Sequence, residues 1–286
     1  MPLLLTIMLF AAFGGIASAA FAIVLLLVRE ERGALMLPHF VSFATGALLG
    51  AALLALLPEA VQAAGSAGAH RIGLALIAGF GVFFVIEKLV LWWHVHAHES
   101  AGESRACAQH ADDEPETHAR GKRHGRSGHS AHGHARDHAS GVLVLVGDSL
   151  HNALDGVLIA AAFLTSTSLG LVTTFAVAAH EIPHRVGDFA ILVQAGLSRP
   201  RALLLNLATG IASVLGAVAA YFGLRQAIGV LPYALAFAAA GFLYIAVAGL
   251  IPGLHRRADP RTSALQVLLI GAGVAVIACA EWLTES

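Results

Sequence analysis

Eight stretches of this chain are long and apolar enough, at about 20 residues each, to carry a helix through the hydrocarbon core of a bilayer. They lie near 3–28, 37–57, 71–93, 141–163, 170–195, 201–224, 230–252 and 263–283. Backbone groups in lipid must be satisfied within the segment, so such stretches are expected to be α-helical. The expected fold is therefore all-α, a polytopic membrane protein with eight transmembrane helices. With 57% hydrophobic and 12% charged residues, the chain cannot be a soluble domain of ordinary composition. A net charge of −1 gives no reason to expect a nucleic-acid partner. The two cysteines, Cys107 and Cys279, allow neither a disulfide framework nor a Cys-rich zinc site, so any metal must be held by nitrogen and oxygen. Ala17-Ser18-Ala19 imitates a signal-peptide cleavage site, but the first stretch lacks a basic leader and is too long, so it is read as a retained helix.

Lysine and arginine orient the bundle. The loops after spans 1, 3, 5 and 7 hold thirteen of the seventeen, from Arg29 to Arg261, while the opposite side holds Arg71 and Arg225. Lys88 and Arg185 fall inside spans. Both termini are thus expected outside. Residues 1–93 hold spans 1–3, 94–140 form a cytoplasmic loop, and 141–286 hold spans 4–8. The loop carries ten of the sixteen histidines, among them His94, His96, His98, His129, His132, His134 and His138. It has almost no apolar residue larger than Ala and cannot form a core, so it is expected to be disordered. Its irregular histidine spacing fits no folded zinc module and suits weak metal capture.

Two spans contain ionisable residues that packing does not explain. Span 4 reads His151-Asn152-Ala-Leu-Asp155-Gly156, and span 5 reads His180-Glu181-Ile-Pro183-His184-Arg185-Val-Gly-Asp188. Residues four apart on a helix share a face, which pairs His151 with Asp155 and aligns His180, His184 and Asp188. Asn152 and Glu181 follow one position on, about 100° around. An ionisable group at membrane depth costs roughly 2.5–3.5 kcal/mol on insertion scales and is a functional-site hypothesis by default. If spans 4 and 5 are neighbours, three imidazoles and a carboxylate converge, a ligand set suited to zinc and similar divalent ions. Asp188 is three residues from Arg185 and is open to pairing with it. Pro183 removes a backbone hydrogen bond and frees the carbonyl of Ala179, so a broken helix is expected there.

Elsewhere, Gly46-Ala-Leu-Leu-Gly50 in span 2 permits close helix approach. Glu87 and Lys88 end span 3 ahead of the interfacial pair Trp92-Trp93, where snorkelling or interhelical pairing is expected. Glu59 reads as a solvated helix-end carboxylate.

Taken together, these motifs resemble the Zrt/Irt-like (ZIP) divalent-metal transporters. The resemblance rests on the span pattern, the His-rich loop, LPEA after span 2, EKL ending span 3, HNALDG in span 4 and HEIPHRVGDFAIL in span 5. It implies a primary metal site of His151, Asp155, His180 and His184, and a second, adjacent site drawing on Asn152 and Glu181. It also implies a homodimer, spans 1, 4, 5 and 6 moving against spans 2, 3, 7 and 8, and movement of metal into the cytoplasm. The chain departs from that pattern at Ser213, where some members carry glutamate, at Ala51 and Ala55 in span 2, and at Gly253.

The expected activity is transport rather than catalysis, with Zn²⁺ as substrate, Cd²⁺ and Fe²⁺ as possible competitors, and no catalytic cofactor. Mg²⁺ and Ca²⁺ would want more oxygen. The alanine-rich composition points to a bacterial inner membrane, with lipid as the surrounding partner. Two rivals remain open. His180-Glu181-Ile-Pro183-His184 formally satisfies the HExxH pattern of an intramembrane zinc metalloprotease with Glu181 as general base. HxxxD pairs also occur in exporters of the cation diffusion facilitator type.

Overall fold

A computed structural model describes residues 2–27, 30–109, 131–255 and 259–285, without the side chains at 22–27, 30–35, 90–109, 131–143 and 284–285. Among the described residues the regular structure is entirely helical. Helix α1 spans Pro2–Leu27, and α2 spans Glu30–Gly50. A π-helical turn, Ala51–Leu56, continues α2 into α3, Leu57–Ala64. Then come α4 (Ala69–Gln109), α5 (Ala131–Thr165), α6 (Thr167–Gln194) and α7 (Arg199–Gln226). Helix α8 (Leu231–Tyr244) passes through a second π-helical turn, Ile245–Leu250, into α9 (Ile251–Leu254), and α10 (Pro260–Glu285) closes the chain.

Seven of the described helices are long and apolar enough to cross a membrane. The eighth expected span, α6, has the length at 28 residues but not the apolarity, because it carries His180, Glu181, His184, Arg185 and Asp188. A helix enclosed by others need not be apolar all round. α6 packs against α1, α2, α5 and α7. Helix α4 runs on to Gln109 and α5 starts at Ala131, so both ends of the stretch 94–140 are helical rather than irregular as expected. The centre of the histidine-rich loop, 110–130, lies outside the described residues.

A second difference concerns Pro183, which stands inside an uninterrupted α6 instead of breaking it. One lost hydrogen bond costs little when the flanking turns are packed and tied down. Here Arg185 binds α7 immediately after the proline.

The helices associate mainly as two sets of four. α1, α5, α6 and α7 form one, while α2 with its continuation, α4, α8 and α10 form the other. Glycines bring the paired helices to backbone contact. A Cβ on Gly156 of α5 would lie 1.8 Å from the Ser213 carbonyl oxygen of α7, and one on Gly216 would lie 2.0 Å from that of Ala153. In the other set a Cβ on Gly46 would meet the Ile270 carbonyl oxygen at 2.0 Å, and one on Gly50 would meet the Ile277 side chain at 3.0 Å, so both glycines of the span 2 pattern face α10. Such contact lets dispersion and backbone fit do what the hydrophobic effect cannot do within lipid.

Candidate metal centre

The site lies where α5 meets α6. His180 is fully buried, and its Nδ1 stands 3.1 Å from the Ala176 carbonyl oxygen one turn earlier. A carbonyl only accepts, so Nδ1 carries the proton and Nε2 of the neutral ring presents its lone pair. That lone pair faces α5. His180 Nε2 is 3.2 Å from His151 Nε2 and 3.5 Å from Asp155 Oδ2, and His151 Nε2 is 3.7 Å from the same oxygen. Asp155 Oδ2 is buried and has no hydrogen-bond partner. Zinc held at about 2.0–2.2 Å by nitrogen and oxygen in a tetrahedron needs ligand atoms about 3.3–3.6 Å apart. The triangle of 3.2, 3.5 and 3.7 Å has that size.

One ligand atom from each of His151, Asp155, His180 and Glu181 lies within 4.8 Å of the others. His184 stands just outside this group. Its ring centroid is 5.1 Å from that of His151 and 6.2 Å from that of His180, on the side of a cavity of about 330 Å³. Glu87 and Phe83 of α4, Asp148 and His151 of α5, His184 and Asp188 of α6, and Tyr244 and Gly249 of α8 and its π turn line that cavity. It therefore runs between the two helix sets. Its lining reaches Val144 in α5 and Asp188, six residues before the end of α6. Beyond Asp155 in α5 and one turn before His180 in α6 the side chains of Ile159, Ala162, Phe163 and Ala176 are apolar and at most 3% exposed.

Asn152 and Glu181 face a different partner. Arg185, 1% exposed, puts Nη2 at 2.9 Å from Glu181 Oε1 and donates to Asn152 Oδ1 at 3.2 Å. The Glu181 contact is an ion pair off the N–H direction, since neither carboxylate oxygen has a hydrogen-bond partner. Asn152 in turn donates through Nδ2 to the Asp148 backbone carbonyl at 2.9 Å and to Asp148 Oδ1 at 3.0 Å. Nη1 of Arg185 reaches α7, donating to Asn206 Oδ1 at 2.9 Å and Thr209 Oγ1 at 3.1 Å. Arg185 is thus paired with Glu181 one turn earlier, while Asp188 lines the cavity.

Four residues of this region escaped the sequence reading. Asp148 sits four before Asn152, a spacing that was legible. Asn206 and Thr209 are polar residues within a span, a signal passed over because they are uncharged. Tyr244 donates its hydroxyl proton to Glu87, both in the cavity lining, and nothing local pairs those two. Lys88, by contrast, rests over the Phe84 ring at 5.8 Å. Ser213, aligned with a family glutamate, is buried where α7 meets Gly156.

Comparison with known proteins gives the same picture over almost the whole chain. The family model described as ZIP Zinc transporter matches residues 3–281. Zinc transporter ZIP13 of Homo sapiens is 36% identical over 280 residues, covering 88% of this chain and 72% of that protein. ZIP13 of Danio rerio is 34% identical, covering 88% and 78%. Zinc transporter SLC39A7 of Rattus norvegicus is 33% identical over 323 residues, covering 92% and 69%. A match of this extent, together with the histidine and carboxylate cluster between α5 and α6, means that this integral membrane protein belongs to the ZIP zinc transporter family.

Proposed function

We propose that the chain carries zinc into the cytoplasm of a bacterial cell through a centre formed by His151, Asp155, His180 and His184. The observation that carries this reading is the triangle of His151 Nε2, His180 Nε2 and Asp155 Oδ2, whose edges suit tetrahedral zinc. His184, at the cavity side, supplies the fourth ligand after a small side-chain rotation. Each residue has its own part. His180 is locked by Ala176 with its lone pair inward, and Asp155 brings the single negative charge. His151 and His184 stand between the closed centre and the cavity, so they are the ligands through which the ion leaves.

His151 and His180 share the space between their Nε2 atoms. Since the Nε2 of neutral His180 is unprotonated, His151 donates to it in the metal-free protein, and that proton must move to Nδ1 or leave when zinc binds. A cavity lined as far as Asp188, toward the arginine-rich end of α6, with buried apolar side chains on the other side of the site, suits a state facing the cytoplasm. Counting α6, eight helices cross the bilayer and both termini lie outside. Rocking of α1, α5, α6 and α7 against the other set would close the cavity and open the other side. The assembly is a homodimer, and cadmium, close to zinc in ligand preference, competes for the centre.

Transport is favoured over proteolysis because Glu181, the base an HExxH enzyme would need, is engaged by Arg185. Uptake of zinc into vesicles holding the purified protein, with Cd²⁺, Fe²⁺, Mn²⁺ and Mg²⁺ alongside, tests the reading. Zinc accumulation blocked by cadmium is expected. Intact zinc binding without uptake of any ion would sink it.

A further inference from the structure

The donors that the resemblance assigns to a second metal, Asn152 and Glu181, converge on a cation that already belongs to the chain. We infer that the guanidinium of Arg185 permanently takes the place of a second metal ion, so that the centre holds one ion only. This rests on the reading of His151, Asp155, His180 and His184 as the metal centre.

An ion bound by Glu181 and Asn152 would need both oxygens at about 2.0–2.2 Å. The place in contact with both oxygens is held by Nη2 of Arg185, which is 2.9 Å from Glu181 Oε1 and 3.2 Å from Asn152 Oδ1. Guanidinium has no lone pair to offer a metal and keeps its charge in proteins, so it excludes a dication by both contact and repulsion. Nor can it swing away easily. Nη1 is held by Asn206 and Thr209, and Asn206 Nδ2 donates back to the Arg185 carbonyl at 2.8 Å. The surrounding helices leave space for the head and little more. A Cβ on Gly210 of α7 would come within 3.4 Å of Nη2, and one on Gly15 of α1 within 3.7 Å. Three helices thus cage a fixed positive charge beside the metal centre.

The charge count follows. Arg185 cancels Glu181, so the dication faces Asp155 alone and the loaded centre keeps a net charge of +1. An ion held with that excess is easier to release toward Asp148 and Asp188 in the cavity.

Zinc retained by the purified full-length protein after dialysis measures the effect, read as differences so that the histidine-rich loop contributes equally throughout. Wild type should retain one ion per chain more than Asp155→Ala. No difference there would bring down the metal centre itself and this inference with it. Arg185→Gln should retain one ion more than wild type, and adding Asn152→Ala should remove that extra ion. A folded Arg185→Gln protein with no extra ion overturns the inference, as does an extra ion that survives Asn152→Ala. Since Arg185 also ties α6 to α7, Arg185→Gln can fail to fold, and a measurement on wild type decides independently. At saturating zinc, X-ray absorption should give no zinc–zinc distance in the range of about 3.5–4 Å typical of two-metal sites. Such a distance in wild type overturns it.

Discussion

Arg185 and Asn206 grip each other from both sides. The Arg185 side chain donates to Asn206 Oδ1 at 2.9 Å and also to the Asn206 backbone carbonyl, and Asn206 Nδ2 returns a bond to the Arg185 carbonyl at 2.8 Å. This reciprocal link clamps α6 onto α7 next to the candidate metal centre and makes Asn206 a structural residue of the α6–α7 contact. Asn206→Ala leaves a buried charged donor and a carbonyl short of partners, a loss of about 1–3 kcal/mol. A melting temperature several degrees below wild type in detergent is the expected result. An unchanged melting curve would mean that the clamp contributes nothing to stability.

The ligand triangle predicts a ranking among substitutions. Asp155→Ala and His180→Ala each remove a corner of the triangle and should reduce zinc uptake to background. Asn152→Ala only removes a partner of Arg185 and Asp148, so uptake should fall without being lost. Rates measured at equal amounts of protein in vesicles check the order, and Asn152→Ala as damaging as Asp155→Ala would contradict it.

Metal ligation requires neutral imidazole, and imidazole charges near pH ~6.5 in water. Protons therefore compete with zinc, and the sign is fixed. Binding should be strong above pH ~7 and weaken as the pH falls through about 6 to 5.5. Zinc titrations across that range give the test. An affinity that rises on acidification would be incompatible with histidine ligands.

Close backbone approach makes glycine substitution a probe of the α5–α7 contact. A methyl group on Gly156 would drive into the Ser213 carbonyl oxygen, whereas one on Gly187 of α6 meets nothing within 4 Å. Gly156→Ala should sharply reduce the yield of folded protein, while Gly187→Ala should leave it close to wild type. Size-exclusion profiles of the two variants make the comparison.

Hydrophobic length and four-residue spacing made much of this protein legible beforehand. Seven of the described helices meet the demand for a long apolar run, and the faces of α5 and α6 follow from 3.6 residues per turn, so His151 with Asp155 and His180 with His184 pair on sequence alone. Gly46 and Gly50 were recognisable as contact points because only a residue without Cβ permits that approach. The partner of Arg185 was not legible. Glu181 four residues before it and Asp188 three after are both within reach on one helix, and local geometry does not choose between them. The choice came from α7, whose Asn206 and Thr209 draw the guanidinium to one side of α6 and leave Asp188 to the cavity. The same link helps α6 continue unbroken through Pro183, where local sequence argued for a break. Spans and helix faces are properties of a single segment and its solvent, so sequence determined them. Which buried polar groups meet depends on how the helices pack against one another, and only the tertiary structure decided that.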